Sequence, residues 1–584
     1  VQSFAALLRD AAALLSGSPG IAASVRAGID QVLVDEFQDT DALQCEILKQ
    51  LAAREGPSIF VVGDPKQSIY GWRNADLAAY RSFVESLVPS GAERGVLCVN
   101  HRSVQPILDE VERCIEPLLG EGNAWQAAFQ PLHASPERST DPGFVASGTA
   151  AVEHWDSSRW VEGSLAEKTR SAEATRLEAE AVAADIAGHV AAGRAVPGDF
   201  GILLRGLGEL EAVLSALRRA GVPYVVERDQ GYYQRREIID ASALVRWLLD
   251  PNDTVALVAV LRSGISGVPD AALVPLWSAG LPDAARAIES PDDAATRRCR
   301  KIITDVQLPA GVPGLERIEG WRESAIGFLA MVGALRSAAA TEAPDRFVER
   351  LRRTLLVEAS EAARHLGRFR LANLDRFFRD LARALDTEDP SAVLRRLRTS
   401  VSTAREDEEG RPRDVDDRAV HVLSIHKSKG LAFEHVYVMQ LHRGHGGSDR
   451  RRTTVARRGS RSALTLFGER SLEVPLLARD QAATEAAERE RVLYVAMTRA
   501  RRRLVLVGKR DRRLDHKAPA ALLARRRGAP DLAALAGRVA AQPEGTRGVE
   551  ADGALWVFPG RAPVVLPAAR HAEGAGAADA RVEA

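Results

Sequence analysis

The sequence predicts an α/β protein in which parallel sheets flanked by helices are interrupted by an inserted, mainly helical domain. Three observations predict it. Short apolar runs ending in acids, QVLVDEF (31–37) and SIFVVGD (58–64), read as strands buried on both faces. From 251 to 414 such runs become scarce and helical periodicity takes over, as in RFVERLRRTLLVEASEAARHL (346–366). The strand texture returns in VHVLSIHKSKGLAFEHVYVM (420–439) and in RRLVLVG (502–508).

Taken in order, Phe4, Leu7, Leu8, Ala11 and Leu15 fall on one helical face, closed by SGSPG at 16–20. After the two acid-tipped strands, VLCVN (96–100) and DFGILLR (199–205) supply further strands, each beside a helical stretch. At about 150 residues per domain, 584 residues allow roughly four units. Their expected bounds are 1–92, then 93–250 and 415–512 as two halves of one α/β domain around the helical insertion 251–414. Residues 443–462, rich in Gly, Ser and Arg, read as a mobile loop. Residues 513–584, rich in Ala, Gly, Pro and Arg, read as a poorly ordered extension.

Composition narrows the function. Lys plus Arg and Asp plus Glu both total 79, so the formal charge is zero. That excludes a simple polybasic protein but leaves nucleic-acid binding through a local groove. The cysteines (Cys45, Cys98, Cys114, Cys299) are scattered, with no CxxC pair, which argues against zinc, iron–sulfur or disulfide frameworks. No apolar run approaches the roughly 18–20 residues that span a bilayer, and Arg9 and Asp10 break the apolar start. A reducing cytoplasm, away from membranes, is the expectation.

The chemistry sits in two clusters. VLVDEFQDT (32–40) delivers Asp35 and Glu36 at the tip of a buried strand, where α/β sheets bind ligands. One acid can hold Mg²⁺ while the other orients or deprotonates a water attacking a phosphate. Paired acids alone more often just end a strand, but here Gln38, Asp39 and Thr40 extend the polar run. In VVGDPKQSIYGWRNAD (61–76), Gly63, Pro65 and Gly71 set turns and Gln67 offers an amide to a phosphate or a water. Tyr70, Trp72 and Arg73 then bring two aromatics and a guanidinium together in a loop, a stacking platform for bases.

These two clusters resemble motifs II and III of the UvrD/RecB-type superfamily 1 DNA helicases. VLCVNHRS (96–103) resembles motif IV, HVLSIHKSKGLAFEHVYVM (421–439) motif V and ERERVLYVAMTRARRRLVL (488–506) motif VI, in the expected order along nearly the whole chain. The DPKQSIY wording is similar to the RecB/AddA branch. The resemblance implies RecA-like motor domains of the P-loop NTPase kind, with ATP and Mg²⁺ as cofactors. It implies that Asp35 and Glu36 hold Mg²⁺ and that Glu36 activates water. Gln67 and Arg102 would contact the γ-phosphate, Gln38 and Gly430 would join the nucleotide contacts, and Arg499 would act as an arginine finger. Tyr70, Trp72 and Arg73 would grip single-stranded DNA, with His426, Lys427 and Lys429 along its backbone. The implied activity is ATP-dependent helicase or translocase action of 3′-to-5′ polarity on single-stranded and duplex DNA, in repair or recombination, beside a second helicase–nuclease subunit.

Two departures stand out. Motif V of the family reads KGLE, whereas Ala432 stands at that acid's place and Glu434 follows two residues later. No GxxxxGKS/T phosphate loop occurs in the 584 residues, so the Walker A region of the first motor domain is expected to be missing. No nuclease-type acid cluster with a Lys follows Arg499. A truncated, non-catalytic helicase-like protein that binds DNA or a partner is therefore the rival expectation.

Overall fold

The computed structural model describes residues 4–52, 56–145, 148–159, 171–206, 210–227, 232–308, 319–355, 357–363, 367–403, 419–444, 454–458, 461–466, 469–470, 473–510, 517–542 and 548–558. The chain divides into two compact units, one of residues 1–227 with 416–584 and one of 228–415. The helical unit thus starts before the expected boundary at 251 and takes in the helix Arg236–Leu249.

The first unit opens as the periodicity predicts, with a helix over Phe4–Gly17 and a second starting behind Ser18 at Pro19. The acid-tipped strands are Gln31–Val34 and Ser58–Val61, paired in parallel with Val32 opposite Ile59. A capping box between Asp41 and Gln44 starts the helix Ala42–Leu51 directly after the polar run. Phe37, Cys45 and Phe83 are buried beneath these elements, so the acids of the loop project outward from a packed base.

The larger sheet has eight strands. In spatial order they are Gly548–Ala551, Ala554–Val557, Val152–Asp156, Ala500–Gly508, Phe433–Val438, Phe200–Leu204, Val420–Ser424 and Tyr224–Glu227. All pairs are parallel except the hairpin of the first two. Val152–Asp156 and Phe200–Leu204 are buried throughout, as the continuous apolar runs of an interior parallel strand require. Two charged groups are built into this interior. Arg503 donates to Glu153 and Asp185, both at 2.8 Å, and to the Tyr437 hydroxyl at 3.0 Å. Glu110 accepts from Arg526 at 2.7 Å and pairs with His154 at 2.7 Å.

Three expectations are corrected. Only Val99–Asn100 of VLCVN is a strand, paired with His133–Ala134. Within 443–462, Thr454–Arg458 and Arg461–Leu466 form an antiparallel pair; 445–453 and 459–460 lie outside the described residues. The extension after 513 is built into the fold over 517–542 and 548–558, while 511–516, 543–547 and 559–584 lie outside the described residues. Trp556 there stacks on His154, with ring centroids 4.3 Å apart.

The second unit is helical among its described residues, from Arg236–Leu249 to Pro390–Thr403. Trp247, Leu276, Phe328, Leu351 and Phe378 centre its core. Its helix Trp321–Thr341 is long and apolar enough to cross a membrane by length and composition, against the sequence expectation. Ala325, Phe328, Leu329 and Val332 bury its apolar face within the unit instead.

Candidate nucleotide and DNA site

The site is built where strands run out. Val34 ends its strand and Asp35 accepts a hydrogen bond from the backbone N–H of Glu36 at 2.8 Å. Glu36 is exposed and takes a left-handed backbone, with φ of 51°. A non-glycine residue rarely adopts that conformation, and held strain of this kind marks loops shaped for function. Gln38 holds it from below: its amide donates to the Glu36 carboxylate and its carbonyl accepts from the Asp64 N–H at 2.9 Å. Both ends of this buried side chain are therefore occupied internally. Gln38 is thus a positioning residue, which corrects the expectation of a nucleotide contact. Gly63 serves the same joint, since a Cβ there would lie 2.6 Å from the Gln38 carbonyl oxygen.

Asp64 is the organiser that the motifs alone left without a role. Its carboxylate accepts from the Gln67 amide at 3.1 Å and the Tyr494 hydroxyl at 3.1 Å, and it pairs with Lys66 at 2.9 Å. Its place directly after the strand SIFVVG was the available signal. Gln67, so oriented, turns its carbonyl oxygen to the Arg499 guanidinium at 3.3 Å. Arg499 is 1% exposed and otherwise donates to the Val495 carbonyl at 2.9 Å and the Thr498 hydroxyl at 3.0 Å. Arg102 donates to the Thr498 carbonyl at 3.4 Å. Neither arginine has a carboxylate within 4.0 Å among the described residues. Burial, with Arg102 nearby, pulls Arg499 down to about 10. Burial and Arg501 lower Arg102 as well.

The aromatic platform is open. Trp72 is 56% exposed, edge-on to Tyr70 at 6.1 Å between ring centroids, and Arg73 lies 4.6 Å over the Trp72 ring. The Tyr70 hydroxyl donates to the His426 carbonyl at 3.2 Å, and the two rings lie 6.4 Å apart. Lys427 is half-buried beside them.

Lys429 departs from its expected place on a DNA backbone. Its ammonium, with a side chain 5% exposed, donates to Asp39 at 2.6 and 2.7 Å and to the Gln67 carbonyl at 3.0 Å, and lies 3.4 Å from Glu36. A buried ammonium with these partners is not available to phosphates. Burial raises the Asp39 carboxyl even with Lys429 beside it. Gly430 follows with φ of 83°, which turns the chain sharply away. Glu434, two residues beyond Ala432, pairs with Arg501 at 3.0 Å.

Residues 1–87 match the family described as the UvrD/REP helicase N-terminal domain, and residues 96–281 and 337–510 match the UvrD-like helicase C-terminal domain. The chain belongs to the UvrD-like helicases. Among similar proteins, an ATP-dependent helicase/nuclease subunit of Bacillus cytotoxicus is 26% identical over 538 residues, covering 84% of this chain and 40% of that protein. The proteins of the same name from Bacillus mycoides and Geobacillus kaustophilus are each 27% identical, over 532 and 525 residues. This UvrD-like chain therefore spans about 40% of the length of the curated relatives it matches.

Proposed function

We propose that the chain is the larger part of the motor of an ATP-dependent DNA helicase or translocase with RecA-like domains, moving 3′-to-5′ in repair or recombination. The observation that carries the reading is the pair Arg102 and Arg499, cations placed beside Gln67 without any carboxylate to neutralise them. A buried, unpaired guanidinium is costly unless an anion arrives. The triphosphate of ATP is the anion that the rest of the site suits.

Asp35 and Glu36, exposed and adjacent, are the residues that would hold Mg²⁺, which when bound neutralises phosphate charge. Glu36 accepts a proton from the attacking water, and the left-handed turn with the Gln38 bond keeps its carboxylate aimed outward. Gln67 fixes the position of the terminal phosphate. Arg499 stabilises charge spreading over the phosphate oxygens, a role worth about 10³–10⁵ in rate. Trp72, Tyr70 and Arg73 stack on bases of a single strand, a few residues from Gln67, so a shift at one place moves the other.

The matched relatives are each named as one subunit of a helicase/nuclease, which supports a second subunit in the assembly and a cytoplasmic setting. The test is DNA-stimulated ATP hydrolysis and directional translocation by a polypeptide that carries this chain behind a GxxxxGKS/T segment. Glu36→Gln should abolish hydrolysis there while nucleotide binding persists. Near-normal hydrolysis by that variant would refute the assigned site. DNA binding with no hydrolysis even by the restored polypeptide would favour the non-catalytic rival.

A further inference from the structure

The helical unit carries many arginines, and most of its arginine-rich helices neutralise them. Pro344–Leu355 sets Arg352 against Glu358 at 2.6 Å and Arg353 against Glu349 at 2.7 Å. Gly367–Thr387 sets Arg376 against Asp380 and Arg379 against Asp375, and Arg398 of Pro390–Thr403 meets Asp250 at 2.7 Å. The helix Ala294–Asp305 is different.

That helix buries Thr296, Cys299 and Ile303 on one side. Arg297, Arg298, Arg300 and Lys301 are all exposed. Among the described residues none of these four forms an ion pair within 4.0 Å. Arg297 donates to the Asp292 carbonyl, which leaves its charge in place. At 3.6 residues per turn the four cations fan over an arc of about 160° opposite the buried stripe. One of them is a lysine in a chain with 8 lysines in 584 residues.

We infer that this helix is a docking surface for the phosphate backbone of duplex DNA, separate from the aromatic platform. The fan is too wide to converge on one small anion but suits a row of phosphates, which repeat about every 3.4 Å of axis on each strand. AATRRCRKIITD contains no aromatic residue, so the face has nothing on which an unpaired base can stack. A duplex, with its bases stacked inward and its phosphates outward, matches cations without aromatics. This inference rests on the reading of the chain as part of a DNA motor.

The test uses the 584-residue chain and two labelled DNAs, a blunt duplex and a homopolymer single strand, followed by fluorescence anisotropy across a salt series. Replacing Arg297, Arg298, Arg300 and Lys301 together by Ala should weaken duplex binding about tenfold or more. The slope of log affinity against log salt should flatten by about 0.9 for each phosphate that is no longer neutralised. Single-strand affinity should change less than about twofold, since stacking on the aromatic platform dominates there. The double substitution R352A/R353A removes ion-paired arginines of the same unit and should leave duplex binding unchanged. An equal thermal melt for both variants shows that each has folded; if the quadruple Ala variant melts early, Gln at the same four positions replaces it.

Unchanged duplex affinity and slope in the quadruple variant would overturn the inference, as would an equal loss caused by R352A/R353A. Binding of the wild type to acidic phospholipid vesicles but not to duplex would also overturn it, in favour of a membrane surface. If the wild type binds neither DNA, the motor reading falls too; if it binds the single strand alone, only this inference does.

Discussion

Arg499 and Arg503 lie four residues apart, both almost fully buried, yet they are opposite in kind. Arg503 sits between Glu153 and Asp185 with Tyr437 at its side. Those carboxylates outweigh burial and raise its affinity for the proton. Arg499 has carbonyls, a hydroxyl and an amide but no carboxylate, and burial pulls it down to about 10. The first charge is completed by the fold. The second is left open, at the rim between the acid loop and the strand that follows. Burial alone therefore does not separate a structural ion from a site; the presence of a counter-charge does.

Substitutions at the two positions should break in different measurements. The largest effect is on turnover: in a polypeptide carrying the phosphate loop, Arg499→Ala should slow hydrolysis by about 10³–10⁵. Its melting temperature should stay level or rise, because an uncompensated buried charge has been removed. A variant with normal turnover would return Arg499 to the structural class. Next in size, Arg503→Ala should leave Glu153 and Asp185 buried without their cation and cost about 3–5 kcal/mol by denaturant unfolding. A loss under about 1 kcal/mol would mean that the sheet interior tolerates open carboxylates.

A smaller effect is expected at the platform. Trp72→Ala should cost about 1–3 kcal/mol in single-strand affinity, alike on mixed and homopolymer strands. With Trp72 more than half exposed, the melt should not move. Unchanged binding together with an early melt would make Trp72 a packing residue after all.

The mildest probe is pH, and it reads only the structural class. Burial, with Arg503 nearby, depresses His435 to about 3, and burial, with Arg510, depresses His154 to about 4. The unfolded chain binds protons on these rings near pH 6.5 while the folded one refuses them, so stability falls as pH drops below 6.5. Glu110, held low by His154 and Arg526 against its burial, adds a loss below its ordinary 4.5. The melting temperature should therefore be lower at about pH 5 than at about pH 7.5, and His435→Phe should flatten that dependence. An unaltered dependence would show that other groups carry it.

The sequence made parts of this legible for definite reasons. Asp35, Glu36, Gln67, Trp72 and Arg499 stand in contiguous words whose residue types are unusual together. Gln38 and Lys429 also stand in those words, but their roles depend on which way each side chain turns. Gln38 turns inward to Asp64, and Lys429 reaches Asp39 across 390 positions. Such distant pairings leave no local pattern. The closing hairpin was hidden differently. Asp552 and Gly553, both with positive φ, sit between GVEA and ALWV as a tight turn between two short strands. An Ala- and Gly-rich surrounding made that signal look like an unstructured tail.

The order of the eight strands also dictates when the sheet can exist. Of the eight, Val152–Asp156, Phe200–Leu204 and Tyr224–Glu227 are made first, yet no two of them are neighbours. Each pairs only with strands from beyond residue 419. During synthesis these early strands leave the ribosome with every edge unmatched, while the inserted helices, whose pairings are local, can pack as they emerge. The part of the sheet translated first is thus the part that waits longest. It stands by through the whole insertion for Phe433–Val438 and Ala500–Gly508 to fill the middle, and for Ala554–Val557 to close the side. For that interval its apolar strands are the segments most in need of a chaperone.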